Sequence, residues 1–391
     1  MRKLTIIFLI LLAGTFALEG VGVRGGWILL SFFLIVLSLR EKIKGPRTIS
    51  SMFVVFLAAS FLSFPFSTNL VNSIVFLVLY ASCFFAFLYT YNNKETIKRF
   101  IPPLIFTLSF LFSLYSLLTI NYSLFPTPGH GYQFVASRFG SHNHLADFLL
   151  LPLIICFYYL FSGRTKNSPA QSLLTIIYSL LTILFLPYFL FSYSRSAYLS
   201  LMIVLAVMTW GFVKSKTFKP ALTSLGLFIL TITLSVLFLF STSEYFARSG
   251  VFTTTNETLN RQNNLSYKTP FGGRGEYVRE ALFSILERPL LGVGPGNFVV
   301  ASKEFNPIAG LWTESAHNIF LDITAENGVI AGVVFILLIA ELLGRSKKNV
   351  FFYMALAMLL NFQTDYTYRI FSFMLLFFTL LGLSYSEESR K

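Results

Sequence analysis

Charge is what this sequence has least of. Only 12% of its 391 residues are charged and 55% are hydrophobic, where a soluble domain carries about 25% charge. A soluble fold of this size has no interior large enough for so much Phe and Leu, so lipid must be the solvent. Acidic residues are scarcer than basic ones, 17 against 30, for a net charge of +13. In a soluble chain that excess would raise nucleic-acid binding. Here the Lys and Arg residues flank apolar runs and hold them at the membrane boundary, so no nucleic-acid partner is expected. Cysteine is almost absent. Cys83 and Cys156 both lie inside apolar runs, with no spacing suited to a metal or a disulfide. The first apolar run lacks a small-x-small cleavage site and is followed by more spans, which reads as a retained helix. There is no solenoid-like repeat, and no pair of broken spans in corresponding halves of the kind many transporters show.

Long apolar runs are abundant. Runs of about 17–25 residues can cross a bilayer as helices, and twelve are expected: 4–19, 23–39, 51–66, 70–91, 100–120, 144–162, 172–192, 196–213, 221–240, 317–343, 350–364 and 367–384. The fold class is therefore all-α, a polytopic membrane protein forming a single membrane domain over 1–391. With the N-terminus in the cytoplasm, nineteen of the thirty Lys and Arg residues fall in inside segments. Of the eleven outside, seven lie in one long loop, and the short outer connections hold only Arg24, Arg138, Arg195 and Arg369. Short loops set orientation, so both termini are expected in the cytoplasm.

The long loop, 241–316 between spans 9 and 10, exceeds what a connector needs. It contains an amphipathic helix from Arg274 to Arg288, with Val278, Ala281, Leu282 and Ile285 at helical spacing and Arg279, Glu280 and Glu287 elsewhere on its surface. Pro289 ends it. Such a helix lies on the membrane surface or lids a cavity. The polar stretch 251–269, with its "TTTNETLNRQNN", reads as mobile.

Three outward-facing positions carry chemistry. Arg195 in "FSYSRSAYLSL" sits in a tight outer turn beside Ser194 and Ser196. It is either a headgroup-snorkelling cation or a cation held at fixed depth for an anion. Arg274 in "TPFGGRGEYVREAL" opens the loop helix, where free N–H groups and the helix dipole favour anions and the guanidinium fork suits phosphate. The competing reading is a solvated Arg in a Gly-rich turn. His317 in "LWTESAHNIFLDITAENGVIAG" stands where the loop returns to the membrane. An imidazole there can take a proton from a hydroxyl, or can be structural. Asp322 is off the helical face of His317. "PLLGVGPGNF", Pro289–Phe298, lacks the Lys and the strand–helix setting of a phosphate loop and reads as a shaped turn. His142 and His144 in "RFGSHNHLADF" have no further ligand cluster, so a polar contact to acceptor or headgroup fits better than a metal.

In order, "SRFGSHNHLADFL", "SYSRSAYLSL", "GGRGEYVREALFSILERPLLGVGPGNF" and "SAHNIFLDITAENGVIAG" resemble the O-antigen ligase and polymerase family of bacterial envelope glycosyltransferases, over roughly residues 135–335. Two spacings resemble the ligase branch: Arg195 with Leu199, and His317–Asn318 with Gly328. That ligase pattern closes with Gly, Thr or Tyr where this chain has Ala331. The resemblance implies a multi-pass protein of the bacterial inner membrane with its site facing the periplasm. The donor is a glycan on undecaprenyl diphosphate, and the acceptor is lipid A–core or, in a polymerase, another carrier-linked glycan. Arg195 and Arg274 would hold the diphosphate and His317 would be the base. Asn318, Arg138 and His142 would contact substrate, with no cofactor and no metal. A lipid-linked glycan flippase is the reading from another class. Its ionisable groups belong near the bilayer midplane, whereas these cluster at the outer face.

Overall fold

The computed structural model describes residues 2–20, 26–41, 43–119, 142–162, 169–192, 194–214, 274–306 and 312–387, with isolated positions between 226 and 234. Eight helices come first: α1 Arg2–Gly20, α2 Gly26–Glu41, α3 Arg47–Ser63, α4 Leu70–Asn92, α5 Lys94–Thr119, α6 His142–Phe161, α7 Pro169–Phe191 and α8 Arg195–Lys214. After the segment between α8 and residue 274 come α9 Arg274–Glu287, α10 Phe298–Phe305, α11 Ile319–Gly344, α12 Val350–Asn361 and α13 Phe371–Ser384. Among the described residues seven helices are long and apolar enough to cross a membrane, with three shorter apolar helices beside them. The protein is an all-helical, polytopic membrane protein. The expected ninth span, 221–240, falls mostly outside the described residues, as does the polar stretch 251–269.

The helices pack around α6. Of its span 83% is buried, against 17% for α7, so α6 is a central post and α7 a lipid-facing one. Phe148, near the N-terminal end of α6, meets Phe16, Phe112 and Phe373 edge to face. Small residues let helices approach closely: a Cβ on Gly382 in α13 would lie 2.9 Å from the Phe87 carbonyl of α4. Lipid contributes no hydrophobic drive between helices, so such fit and the aromatic contacts hold the bundle together.

Two ends can be told apart. At one end Asn92 donates to the Lys44 carbonyl at 2.8 Å and Lys347 N–H to Ser384 at 2.8 Å. Lys94, Lys98, Arg99 and Arg345 flank this end in sequence. At the other end Ser200 of α8 donates to Asn361 of α12 at 2.7 Å. There too Thr367 donates to Asp147 of α6 at 3.0 Å, and Ser372 N–H to Glu19 of α1 at 2.9 Å.

Two elements depart from uninterrupted spans. The first is the pair α12 and α13, of 12 and 14 residues, short of the ~20 a crossing helix needs. Residues 362–364 and 367–370, assigned above to span ends, leave the α-helices and with 365 and 366 build a polar turn. The second is α11, which breaks at Gly328 (φ 83°, ψ 167°). The break releases the carbonyls that residues 329 and 330 would otherwise occupy. Val293 N–H bonds the Ala325 carbonyl at 3.0 Å, Gly294 N–H bonds Glu326 at 2.8 Å, and Val329 N–H turns to the Pro289 carbonyl at 2.8 Å. Ser63 at the end of α3 adds a bond to the Glu326 carbonyl at 3.0 Å. The stretch Pro289–Phe298 is thus a shaped turn, with Gly292, Gly294 and Gly296 at positive φ, bonded into the gap of a broken span. A single broken span does not make the paired arrangement of transporters.

A Cβ on Gly328 would collide with the Leu290 carbonyl, and its backbone lies where essentially only glycine is found. Gly328→Ala is therefore expected to destabilise the protein by about 1–3 kcal/mol from backbone strain alone. Thermal unfolding in detergent should show a lower midpoint, and an unchanged midpoint would refute the account.

Candidate active site

The site is built where α11 begins. Asn318 caps that helix, its side-chain oxygen accepting the N–H groups of Phe320 and Leu321, both at 3.1 Å. The cap spends its acceptor on the backbone, so only its amide N–H groups remain to meet a substrate; one lies 3.5 Å from the Gln363 carbonyl. The residue before it, His317, has φ 56° and is the one non-glycine residue at positive φ among the described residues. Such conformations persist only where the surroundings over-determine them. Here they do. His317 N–H donates to Ser315 Oγ at 2.9 Å, Ser315 Oγ lies 2.7 Å from Tyr368 Oη, and Tyr368 Oη donates to Asp322 Oδ2 at 2.6 Å. Asp322 Oδ1 also accepts Ala316 N–H at 2.6 Å.

Asp322 is buried, and Arg369 compensates it. The guanidinium donates to Asp322 at 2.9 and 3.0 Å and pairs with Glu326. Glu326 in turn accepts Gly296 N–H at 2.9 Å and Phe298 N–H at 3.0 Å. One buried ionic knot therefore ties together α11, the turn before α13 and the glycine-rich turn. A buried charge is tolerated when it is paired and hydrogen-bonded in this way. Arg369, counted above as a topology charge, is the centre of that knot.

The His317 ring is fixed from three directions. Nδ1 lies 3.1 Å from the Ser315 carbonyl. A carbonyl can only accept, so Nδ1 carries the proton and Nε2 keeps its lone pair. Tyr277 of α9 stacks on the ring at 5.1 Å and Tyr366 meets it edge-on at 5.0 Å. Burial pushes the imidazole below its ordinary 6.5; Asp365 pulls it back up and Arg274 pushes it down. The ring is therefore neutral at pH 7 and able to accept a proton at Nε2.

Arg274 opens α9, as expected from the sequence, and its guanidinium lies 3.7 Å from Asp365 Oδ2. Asp365 is buried and accepts Tyr366 N–H at 2.7 Å. That same oxygen, Oδ1, lies 3.7 Å from His144 Nε2. The Arg274 side chain is 33% exposed, so the pairing leaves N–H groups to face a ligand. Gly275 beside it has open space around it; Gly272 and Gly273 lie outside the described residues. Arg195 opens α8 with its side chain exposed and no partner among the described residues. The Ser200–Asn361 bond places the start of α8 at the end of the bundle where Asp365 stands.

Of the six residues singled out by sequence, Arg274, His317 and Asn318 are gathered in one place and Arg195 is at the same end. Arg138 and the His142 side chain lie outside the described residues. The sequence reading missed Asp365, Tyr366 and Tyr277, and left His144 without a partner. The signal was present in "NFQTDYTYRIF", a polar cluster between two apolar runs of modest length. Among the described residues no group of three or more His, Cys, Asp or Glu side chains is arranged to hold a metal ion. What the arrangement offers is a partly exposed cation, Arg274, beside a neutral imidazole with a free lone pair, with Arg195 at the same end of the bundle.

The O-antigen ligase family model matches residues 179–336, from within α7 through most of α11. The matched segment contains Arg195, Arg274 and His317. No curated protein and no solved structure gave a match.

Proposed function

We propose that this chain, a member of the O-antigen ligase and polymerase family, moves a glycan from undecaprenyl diphosphate to a hydroxyl of lipid A–core at the periplasmic face of the inner membrane. The observation that carries the reading is His317, whose free Nε2 sits in one site with Arg274 and which is held there in a conformation that costs energy. In the reaction, the acceptor oxygen attacks the anomeric carbon while the bond from that carbon to the diphosphate oxygen breaks, with inversion. The hydroxyl proton goes to His317 Nε2. Undecaprenyl diphosphate leaves with its added negative charge facing Arg274 and Arg195. Preorganised cations aimed at charge that develops in the transition state are the largest source of rate in such reactions. Two arginines can supply that charge, and the reading needs neither metal nor cofactor.

The positively charged end of the bundle, with Lys44, Lys94, Lys98 and Arg345, fits the cytoplasmic side, which supports a site outside and both termini inside. A second reading, a surface-polysaccharide polymerase using the same site, is favoured by Ala331, which stands where the ligase pattern has Gly, Thr or Tyr. Purified protein reconstituted with an undecaprenyl-diphosphate glycan and lipid A–core separates the two by gel mobility. The expected result is a shifted core band. A lengthened carrier-linked glycan with an unshifted core would make it a polymerase. No change to either glycan in a folded sample would sink both.

A further inference from the structure

The loop helix α9 packs Ala281 and Ile285 against the protein but turns its larger apolar side chains outward. Its buried stripe is Glu280, Ala281 and Ser284, each 0% exposed, whereas Leu282, Phe283 and Leu286 are 49%, 41% and 75% exposed, and Leu290 just beyond the helix is 68% exposed. The sequence reading had Glu280 on the surface. Instead Glu280 accepts from Asn306 at 2.6 Å across to the end of α10, and burial pushes its carboxyl up. A loop helix in water would turn the other way, because exposing a Leu stripe and burying a Glu both cost free energy.

Continuity with a spanning helix says what covers the stripe. The Pro289 carbonyl accepts Val329 N–H at 2.8 Å, which pins Leu290 beside the break in α11. From that break Ile330, Val333 and Leu337 run down α11, 55%, 48% and 53% exposed. These residues belong to a helix long and apolar enough to cross the membrane, so lipid covers them. Leu290, the end of the α9 stripe, is held against the break from which that exposed side of α11 begins. Cations and aromatics accompany the stripe, as at a membrane boundary: Arg279 lies over Phe283 at 5.3 Å, and Lys303 over the half-exposed Trp312 at 5.1 Å.

We infer that α9 lies half-sunk in the leaflet on the site side, with the Leu282–Leu290 stripe bound to acyl chains and its cations at the headgroups. Arg274 is the first residue of this helix, so the bilayer itself sets the depth of that cation. The inference stands whatever reaction the site performs.

The test uses the full chain in nanodiscs of phosphatidylethanolamine and phosphatidylglycerol, with Leu286→Cys or the exposed Glu304→Cys carrying a polarity-sensitive fluorophore. Cys83 and Cys156 are buried and stay unlabelled. Lipids bearing a nitroxide high on the acyl chain should quench the label at 286 strongly and that at 304 weakly, and aqueous iodide should do the reverse. Equal iodide quenching at both sites would place the stripe in water. Quenching of 286 by neither agent would mean that protein, such as residues 241–273, covers it. Lipid quenching that arises only after lipid A–core is added would assign the face to the acceptor. Each of these three results overturns the inference.

Discussion

A chain with alanine at 317 is expected to transfer glycan about 10²–10⁴-fold more slowly than the native chain, the range for loss of a positioned general base. The loss should fall on kcat, because in the proposed reaction Nε2 meets the acceptor proton in the transition state and does little to hold either substrate in the ground state. A single-turnover assay with both glycans saturating reads that step alone. The pH profile supplies the second half of the expectation. Protonated His317 cannot accept a proton, so the rate should fall on the acid side and level off above the pKa of the imidazole. Burial holds that pKa below 6.5, so the bend should lie below 6.5 and the plateau should include pH 7. Arg274 disfavours the imidazolium, so Arg274→Gln should move the bend to higher pH. Asp365 favours it, so Asp365→Asn should move the bend lower. A bend that stays in place in both variants would show that some other group titrates.

How much of this was legible in the sequence depended on whether a residue's role could be read from its own neighbourhood. The spans were, because lipid imposes one rule on every segment that crosses it: apolar side chains and a helix that satisfies its own backbone. The boundaries of α4 and α8 fall within one residue of the expected ones. Arg274 and His317 could be found because each sits at a helix start, with the local signature that such a place has. Arg369 could not. Its charge was counted among the short outer connections, but it is neutralised by Asp322 and Glu326, 47 and 43 residues away in sequence. The Asp365 partners His144 and Arg274 are likewise distant, and no periodicity announces such a meeting. The burial of Glu280 in α9 was illegible for a different reason. A helical period shows that two faces differ but is silent on which faces protein and which faces lipid. Gly328 belongs to an intermediate case. Its spacing from His317 resembled a family pattern, yet the cause, a helix break whose freed carbonyls receive the turn from Pro289, emerges only from the fold.

The second large effect is expected at Arg274. Removing one preorganised charge from a site where an oxyanion develops costs about 2.7–4 kcal/mol, or roughly 10²–10³-fold in kcat, and Arg274→Ala should lose that much. Arg274→Lys should recover only part, because an ammonium keeps the charge but lacks the planar fork that grips two phosphate oxygens. A loss of activity alone would not establish the role, since Arg274 also lies 3.7 Å from the buried Asp365. Taking it away leaves a carboxylate without its cation, a structural injury in its own right. The double variant separates the two. If Arg274 serves only to neutralise Asp365, then Arg274→Gln with Asp365→Asn removes both charges, relieves the injury and restores transfer. If Arg274 meets the leaving diphosphate, the neutral pair restores the unfolding midpoint but not the rate, and transfer stays within about tenfold of the single Arg274→Gln variant. The second outcome is the expected one. The partly exposed guanidinium and an ion pair too long for a hydrogen bond leave N–H groups of that cation able to face a second anion.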